Sequence, residues 1–392
     1  MADPGTDVPS ISGGDICPAL SENAKGRAVP TIPKEIIMTV KLTHGGDSAG
    51  FRREFGYDPL DFSANVSPLG VPESVVKAIT DAAVEADKYP DPLCRDLSDA
   101  IAEYEGVDPS YVICGNGAAD IIFRFAGAMK NKKVLVTAPT FSEYETALAA
   151  NGCEVRRHLL KEENGFRVDD GFLDDITEDT DIVFLCEPNN PTGVTSGRDF
   201  LMKALKTCEE RGAFLVIDEC FNEFIDDPQS ATMKAALSGT DSLLILKAFT
   251  KVFAMAGVRL GYGLCSNMDV VEGIRSTGQP WSVSGLAQAA GIAALSEPGY
   301  VTRLSEMVRE ERPFLKEGLE KLGLKVMPGE ANYLLFRGPA DLEDRMRQRG
   351  ILIRNCSNYP GLGEGWFRTS VRTRDDNEKL LVILKEELDG EA

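Results

Sequence analysis

The sequence is poor in the residues that most often hold transition metals. Its 392 residues include only two histidines, His44 and His158, and none of the nine cysteines forms a CxxC pair. A zinc site built from cysteine and histidine is therefore not expected. Scattered thiols without a disulfide framework are typical of a reduced compartment. We predict no metal site and a cytoplasmic location.

Positive charge and long apolar runs are also scarce. The chain has 62 acidic against 42 basic residues, which gives a formal net charge of -20. That balance argues against general binding to nucleic acids or anionic membranes, although a local cationic pocket is compatible with it. No apolar run approaches the roughly 18 residues of a transmembrane helix. The N-terminus also lacks the charged and apolar regions of a secretory signal.

The body of the chain alternates short apolar runs with amphipathic stretches. Two examples of the runs are IVFLC at 182–186 and FLVID at 214–218. This alternation predicts an α/β fold whose mostly parallel sheet is covered by helices on both faces. After residue 285 a long helical stretch leads to strands near 333–337 and 367–372, which indicates a smaller C-terminal α+β domain.

The predicted organisation has four parts. Residues 1–37 are rich in Pro, Gly, Ser and Asp, and we expect a poorly ordered extension there. The other parts are an N-terminal arm with part of the small domain at 38–70, a large domain at 71–284 and the small domain at 285–392.

Two short motifs follow predicted strands. GNGAAD at 115–120 precedes a helical pattern, and free backbone N–H groups at a helix N-terminus attract anions. A plain turn is the alternative, because the motif has neither the GK[ST] nor the GxGxxG pattern. EPNNPTG at 187–193 directly follows IVFLC, and residues just past such strands line the ligand crevice of an open α/β sheet.

Several charged residues lie in apolar surroundings. Asp218 ends an apolar run, where a carboxylate is costly unless it is paired; a helix N-cap is the alternative. Lys251 lies within LKAFTKVFAMAGVRLGYG at 246–263, and apolar surroundings lower a lysine's pKa and make the amine nucleophilic. Such lysines form Schiff bases with carbonyl cofactors.

Three arginines are further candidate site residues. Arg259 lies eight residues after Lys251, beside glycines, and is suited to holding a phosphate. Arg354 and Arg368 suggest bidentate anion clamps. The alternatives are that the cations near Lys251 extend to solvent from an amphipathic helix, and that the C-terminal arginines are surface charges on edge strands.

From about His44 to the C-terminus, the sequence resembles the pyridoxal phosphate (PLP)-dependent class I/II aminotransferases of fold type I. Within that superfamily it is similar to the threonine-phosphate decarboxylases of cobalamin biosynthesis, which are near relatives of the histidinol-phosphate aminotransferases. The resemblance rests on the strings HGGD, DFSANVSPLG, YPDP, CEPNNPTG, GQPWSVSGLA, GEANYLL and ILIRNCSNYPGL.

The resemblance implies a role for each candidate residue. Lys251 would hold PLP covalently, Asp218 would pair with the ring nitrogen, and Asn190 would bind the phenolic oxygen. The backbone amides of Gly117, Ala118 and Ala119 would bind the cofactor's phosphate, assisted by Thr250 and Arg259. Phe141 would stack on the cofactor's ring. Tyr89 would reach the phosphate from the second subunit of a homodimer. The substrate's phosphate would be surrounded by His44, Gly45, Asn65 and Arg354, with Arg368 at its carboxylate and Asn190 also in contact with it.

Two positions depart from the family pattern. Phe221 stands where many relatives have a tyrosine that bonds the phenolic oxygen, and Ala248 stands where a serine is frequent. One hydrogen-bond donor is therefore lost, and one phosphate contact is missing or replaced. We expect Lys247, which has no role in this pattern, to be a peripheral charge.

The reaction implied by the resemblance is decarboxylation of L-threonine O-3-phosphate to (R)-1-amino-2-propanol O-phosphate, for assembly of the cobalamin nucleotide loop. L-serine O-phosphate, which would give ethanolamine phosphate, differs by one methyl group, and a pocket discriminates that by only about 1–3 kcal/mol. A histidinol-phosphate-type aminotransferase is a further alternative. A PLP-binding regulator would usually carry an added DNA-binding domain, which the acidic charge does not support.

Overall fold

The computed structural model describes residues 44–390. The predicted extension at 1–37 lies outside the described residues, as does the first part of the predicted arm at 38–70. Within the described range, no helix is long and apolar enough to cross a membrane.

The strands form one large sheet and two smaller ones. In chain order they are β1 (Leu60–Asp61), β2 (Val112–Gly115), β3 (Lys133–Ala138), β4 (Glu154–Leu159), β5 (Ile182–Cys186), β6 (Phe214–Asp218), β7 (Leu243–Ala248), β8 (Gly261–Cys265), β9 (Lys325–Val326), β10 (Tyr333–Arg337), β11 (Ile351–Leu352), β12 (Arg354–Asn355) and β13 (Trp366–Ser370).

The α-helices lie between and after these strands. They are α1 (Ser48–Phe55), α2 (Glu73–Ala82), α3 (Arg95–Glu105), α4 (Ala118–Ala128), α5 (Glu143–Ala150), α6 (Gly171–Asp174), α7 (Arg198–Arg211), α8 (Pro228–Ala231), α9 (Phe249–Val252), α10 (Met268–Thr277), α11 (Gly285–Leu295), α12 (Tyr300–Lys321), α13 (Leu342–Gln348) and α14 (Arg374–Asp389).

The large sheet has seven strands in the order β2-β8-β7-β6-β5-β3-β4. Strand β8 runs antiparallel to both of its neighbours, while the pairs from β7 through β4 are parallel. Strand β5 is buried along its whole length, as is expected when helices cover both faces of a parallel sheet. The predicted mostly parallel α/β sheet is therefore present.

Strand β8 depends on glycine because it passes close to the start of α4. A Cβ atom added to Gly261 would lie 2.4 Å from the backbone nitrogen of Ala118. Any larger residue at this position would push the two elements apart. The sequence GYGLC therefore sets the distance between the sheet and the N-terminus of α4.

The C-terminal part contains the antiparallel sheet β12-β13-β10-β9 and the helices α13 and α14. Its apolar core includes Phe62, Leu334, Phe336 and Phe367. The segment around Phe62 joins this part because β1 pairs with β11 in parallel.

The helical stretch predicted after residue 285 is two helices rather than one. Helix α11 ends at Leu295, and α12 begins at Tyr300 after Gly299, whose φ is +69°. Ala290 of α11 and Leu304 of α12 belong to the same buried cluster as Ile217 and Ile245 of the large sheet. The domain boundary at 284/285 stays a prediction.

Candidate active site

The predicted site residues meet at the carboxyl ends of three neighbouring parallel strands. Asp218, the last residue of β6, lies opposite Cys186 at the end of β5 and Leu246 in β7. Lys251 follows β7 in the short helix α9. Parallel strands bring such ends to one edge of the sheet. A cavity of about 130 Å³ opens there, and its lining includes Ala118, Phe141, Asn190, Asp218, Lys251 and Arg259.

Lys251 is half-buried in the wall of this cavity. Burial, followed by the positive charge of Arg368, lowers the pKa of its amine to about 8. The Nζ atom lies 5.8 Å from the centre of the Phe221 ring. The backbone carbonyl of Lys251 accepts a hydrogen bond of 2.8 Å from the amide of Ser67, so α9 is tied to the segment after β1.

Asp218 is a buried carboxylate whose oxygens each accept one hydrogen bond. The hydroxyl of Tyr144 donates to Oδ2 at 2.6 Å, and the amide of Cys220 donates to Oδ1 at 3.0 Å. Burial and the Asp218 charge raise the pKa of Tyr144 well above its usual value, so this hydroxyl keeps its proton. Each carboxylate oxygen still has a lone pair for a cationic partner.

The N-terminus of α4 forms one end of the cavity. Gly117 precedes the helix with a φ of +84°, and a Cβ atom there would lie 2.7 Å from Nη2 of Arg259. The amides of Ala118 and Ala119 lie in the first turn, where helix N–H groups have no partner within the helix. Thr250 is also in the lining. This arrangement of amides and a guanidinium suits a phosphate.

Asn190 lines the cavity, and Arg368 is hydrogen-bonded to it. Arg368 donates from Nη1 to Oδ1 of Asn190 at 2.5 Å and from Nη2 to the carbonyl of Ser63 at 2.9 Å. Its buried Nε has no hydrogen-bond partner. The buried Oδ1 of Asn65 likewise has none. Two unpartnered polar atoms in one region are expected where a polar ligand binds.

Arg354 lies next to Arg368, because the two residues are opposite each other in the β12–β13 register. Nη2 of Arg354 donates to Oδ1 of Asn358 at 2.8 Å, and the guanidinium lies 5.6 Å from the centre of the Tyr359 ring. Both arginines are buried, with exposures of 7% and 6%. The alternative of exposed edge-strand charges is therefore wrong for this pair.

His44 and Gly45 lie at the rim of the site. Nε2 of His44 is 2.7 Å from Oε1 of Glu143, and its ring lies 5.9 Å from that of Phe141. A Cβ atom on Gly45 would lie 2.3 Å from the carbonyl oxygen of Ser63. The glycine therefore permits a close approach of the two backbones.

Tyr89 does not line the cavity of its own chain. It is 80% exposed, and its ring is 4.6 Å from that of Trp281. Its assignment to the site of a second subunit stays a prediction.

The expectation that Lys247 is a peripheral charge is wrong. Lys247 is 5% exposed, and its Nζ lies 2.6 Å from Glu223, 3.5 Å from Glu105 and 3.7 Å from Glu219. Burial acts to lower its pKa, but the three carboxylates outweigh burial and raise it well above the usual value. Lys247 therefore belongs to an internal ionic cluster behind Lys251.

The two departures from the family pattern, Phe221 and Ala248, both line the cavity. The ring of Phe221 also packs edge-on against Tyr333, at 5.0 Å between centroids.

Sequence reasoning missed two side chains that act directly on predicted residues. Tyr144 binds Asp218, and Glu143 binds His44. Both follow Phe141 closely in the string PTFSEY. A spacing of three residues places Phe141 and Tyr144 on one side of a helical turn, so the pattern contained a signal for Tyr144.

These residues fit PLP. The amine of Lys251 has a lowered pKa, the buried Asp218 can accept from a protonated ring nitrogen, and α4 offers amides to a phosphate. Among the described residues, no group of His, Cys, Asp and Glu could hold a metal ion.

Comparisons with a family profile and with individual relatives identify the same superfamily. The profile of the family described as aminotransferase class I and II matches residues 57–384. The chain is 38% identical to the threonine-phosphate decarboxylase of Salmonella typhimurium over 89% of this chain and 97% of that protein. It is 31% identical to the histidinol-phosphate aminotransferase of Halalkalibacterium halodurans, over 91% and 97% respectively.

Comparison with solved structures also identifies an aminotransferase of this kind. The histidinol-phosphate aminotransferase of Clostridium acetobutylicum superposes with a TM-score of 0.79 at 30% identity, over 84% of this chain and 99% of that one. These matches confirm the predicted fold type I class and the PLP cofactor. The chain belongs to the class I and II aminotransferase family.

Proposed function

We propose that the chain decarboxylates L-threonine O-3-phosphate to (R)-1-amino-2-propanol O-phosphate, with PLP as cofactor, for the nucleotide loop of cobalamin. The observation that carries this proposal is the pair of buried arginines, Arg354 and Arg368, which lie opposite each other in the β12–β13 register. Such a pair fits a substrate with two anionic groups, a carboxylate and a phosphate. The similarity to the Salmonella typhimurium enzyme supports the same reaction.

In this proposal each wall of the cavity binds one part of the reactants. Asp218, whose Oδ2 accepts from the hydroxyl of Tyr144, would keep the cofactor's ring nitrogen protonated, and Asn190 would bind the phenolic oxygen. The cofactor's phosphate would be held by the amides of Ala118 and Ala119 with Thr250 and Arg259, and Phe141 would stack on the ring. The amide of Gly117, predicted to join them, donates instead to the carbonyl of Gly115 at 2.8 Å. When bound, PLP accepts the electron pair that is released at the substrate's Cα.

The substrate is oriented by a second group of residues. Arg368 holds the carboxylate, while Arg354, Asn65, His44 and Gly45 surround the phosphate. The Cα–carboxylate bond breaks, carbon dioxide leaves, and Cα takes up a proton. The Lys251 amine is suited to carry that proton, because its pKa of about 8 lies close to neutrality.

The oligomer is part of the proposal. We propose a homodimer in which Tyr89 of each subunit completes the cofactor's phosphate site of the other. The 80% exposure of Tyr89 on its own chain supports this arrangement. A cytoplasmic location also belongs to the proposal; the eight described cysteines, all free thiols, fit a reduced compartment.

One assay distinguishes the reactions. The PLP-loaded protein is incubated separately with L-threonine O-3-phosphate and L-serine O-phosphate, without any keto acid, and carbon dioxide and amine product are measured. We expect equal amounts of both products from threonine phosphate. Greater kcat/KM with serine phosphate would transfer the assignment to that substrate.

The second candidate, a histidinol-phosphate aminotransferase, is favoured by the 31% identity to the Halalkalibacterium halodurans enzyme. Histidinol phosphate has a phosphate but no carboxylate, so it would leave one of the two guanidiniums without an anion in that half-reaction. Turnover of histidinol phosphate that requires 2-oxoglutarate, with no carbon dioxide from threonine phosphate, would replace the proposed function with this one.

A further inference from the structure

The segment that carries His44 is attached to the anion-binding wall of the site. The amide of Gly46 donates to Oγ of Ser63 at 2.8 Å, and the carbonyl of Ser63 accepts from Arg368. Gly45 packs so closely on Ser63 that a side chain has no room. The position of His44 is therefore fixed relative to Arg368 through a single residue, Ser63.

The other contact of His44 comes from helix α5. Oε1 of Glu143, the first residue of that helix, lies 2.7 Å from Nε2 of His44. Side-chain exposure is 44% for His44 and 21% for Glu143, so the pair lies at the mouth of the site, partly shielded from water. Phe141, two residues before Glu143, lines the cavity.

The pairing with Glu143 determines which ring nitrogen of His44 is available to a ligand. An ionised carboxylate can only accept, so Nε2 of His44 must donate to Glu143. That leaves Nδ1 as the nitrogen for a ligand. When Nδ1 donates to a phosphate, the ring carries a positive charge, and the adjacent carboxylate compensates it.

We infer that Glu143 is a positioning residue that orients His44 towards the substrate's phosphate and so contributes to selectivity for phosphorylated amino acids. The inference rests on the proposed function, since it takes the phosphate-bearing substrate from there. Glu143 itself contacts no substrate atom; it acts through the ring of His44.

Helix α5 offers a matched control. Glu145 lies two residues further on and pairs with Arg157 through two hydrogen bonds, of 2.7 and 2.5 Å, on the outer surface. Glu143→Gln and Glu145→Gln therefore remove the same charge from the same helix. They differ in whether the lost partner is His44.

The experiment measures KM and kcat for L-threonine O-3-phosphate in the holoenzyme. We expect Glu143→Gln to raise KM roughly tenfold with kcat within about twofold, because a charge-supported contact to the phosphate is weakened. Glu145→Gln should match wild type. In a His44→Ala background, Glu143→Gln should have no further effect, since coupled residues are not additive. An unchanged KM in Glu143→Gln, or a full additional loss in the His44→Ala background, would overturn the inference.

A binding measurement separates this inference from the proposed function. Calorimetric titration of the holoprotein with inorganic phosphate needs no turnover. If threonine phosphate is not decarboxylated but phosphate binds wild type about tenfold more tightly than Glu143→Gln, the function fails and the inference stands. If phosphate binds both proteins equally, or binds neither, the inference is overturned.

Discussion

Lys251 combines partial burial with two neighbouring cations, Arg368 and Arg259, and both influences favour its neutral amine. A neutral amine is the form that attacks the aldehyde of PLP. The sequence predicted the nucleophilic lysine from its apolar neighbours. It could not predict the contribution of Arg368, which is distant in sequence and approaches only in the fold.

Capture of PLP by the apoprotein should therefore depend on pH in a specific way. The neutral fraction of Lys251 is one half at its pKa of about 8 and becomes nearly complete about one to two pH units above it. The rate of capture, followed by absorbance and by borohydride fixation, should be half-maximal near that pKa and level off about one to two pH units above it. Lys251→Ala should capture no cofactor covalently, while Lys203→Ala, which removes an exposed amine paired with Asp170, should match wild type. A rate that keeps rising towards pH 10.5 would contradict the lowered pKa.

At the scale of the element, strand β7 and the helix α9 that follows it each carry a lysine, and the two lysines have opposite environments. Lys247, within the strand, is surrounded by Glu105, Glu219 and Glu223, and Lys251 follows in α9. Glu219 directly follows Asp218, so its ion pair with Lys247 links the end of β6 to β7. We interpret the cluster as structural support for the two strand ends that carry the site.

Removing the central cation should destabilise this region strongly. Lys247→Met leaves three carboxylates without their shared partner, and the expected loss in the free energy of unfolding is about 3–5 kcal/mol. Buried carboxylates without a cation have raised pKa values in the folded state, so the loss should grow as the pH rises above the ordinary carboxylate pKa of about 4.3. Lys234→Met is the control: Lys234 contacts only Glu105 among these carboxylates, and its loss should cost within about 1 kcal/mol. Urea denaturation measures both, and equal losses would argue against a central role for Lys247.

The secondary structure was largely predictable because the buried parallel strands are continuous apolar runs. Strands β5 and β6 occur at the predicted 182–186 and 214–218. The cluster around Lys247 was not predictable, because its carboxylates come from α3 and from the segment after β6, and no local pattern connects them. The break between α11 and α12 was missed because apolar periodicity continues on both sides of Gly299.

At the scale of the whole molecule, the proposed site needs residues from two chains. Lys251 and Asp218 line one cavity, whereas Tyr89 is exposed and does not line that cavity on its own chain. In a dimer with exchanged tyrosines, each active site would take Lys251 from one subunit and Tyr89 from the other. A Lys251 variant in one subunit and a Tyr89 variant in the other would then damage the same active site and leave the second active site intact.

Mixed dimers test this arrangement. Lys251→Ala and Tyr89→Ala are each expected to lower decarboxylase activity, the first to near zero. After unfolding and refolding together, hybrid dimers should contain one site with both defects and one intact site, so activity should recover above that of either variant alone. Lys251→Ala mixed with Asp218→Ala should give no recovery, because both residues belong to one chain's cavity. Absence of recovery in the first mixture would argue against exchange of Tyr89.

The antiparallel register that places Arg354 opposite Arg368 also affects how the protein responds to its solution. In the proposed site, a polyvalent anion that binds at either of these arginines would stabilise the folded state by mass action as well as occupy the substrate's position. Sulfate or phosphate in a storage buffer should therefore raise the melting temperature more than chloride does at equal ionic strength. The same ions will compete with a phosphorylated substrate. Stability is thus highest in the buffers in which apparent affinity for substrate is lowest, and chloride is the appropriate salt for kinetic work.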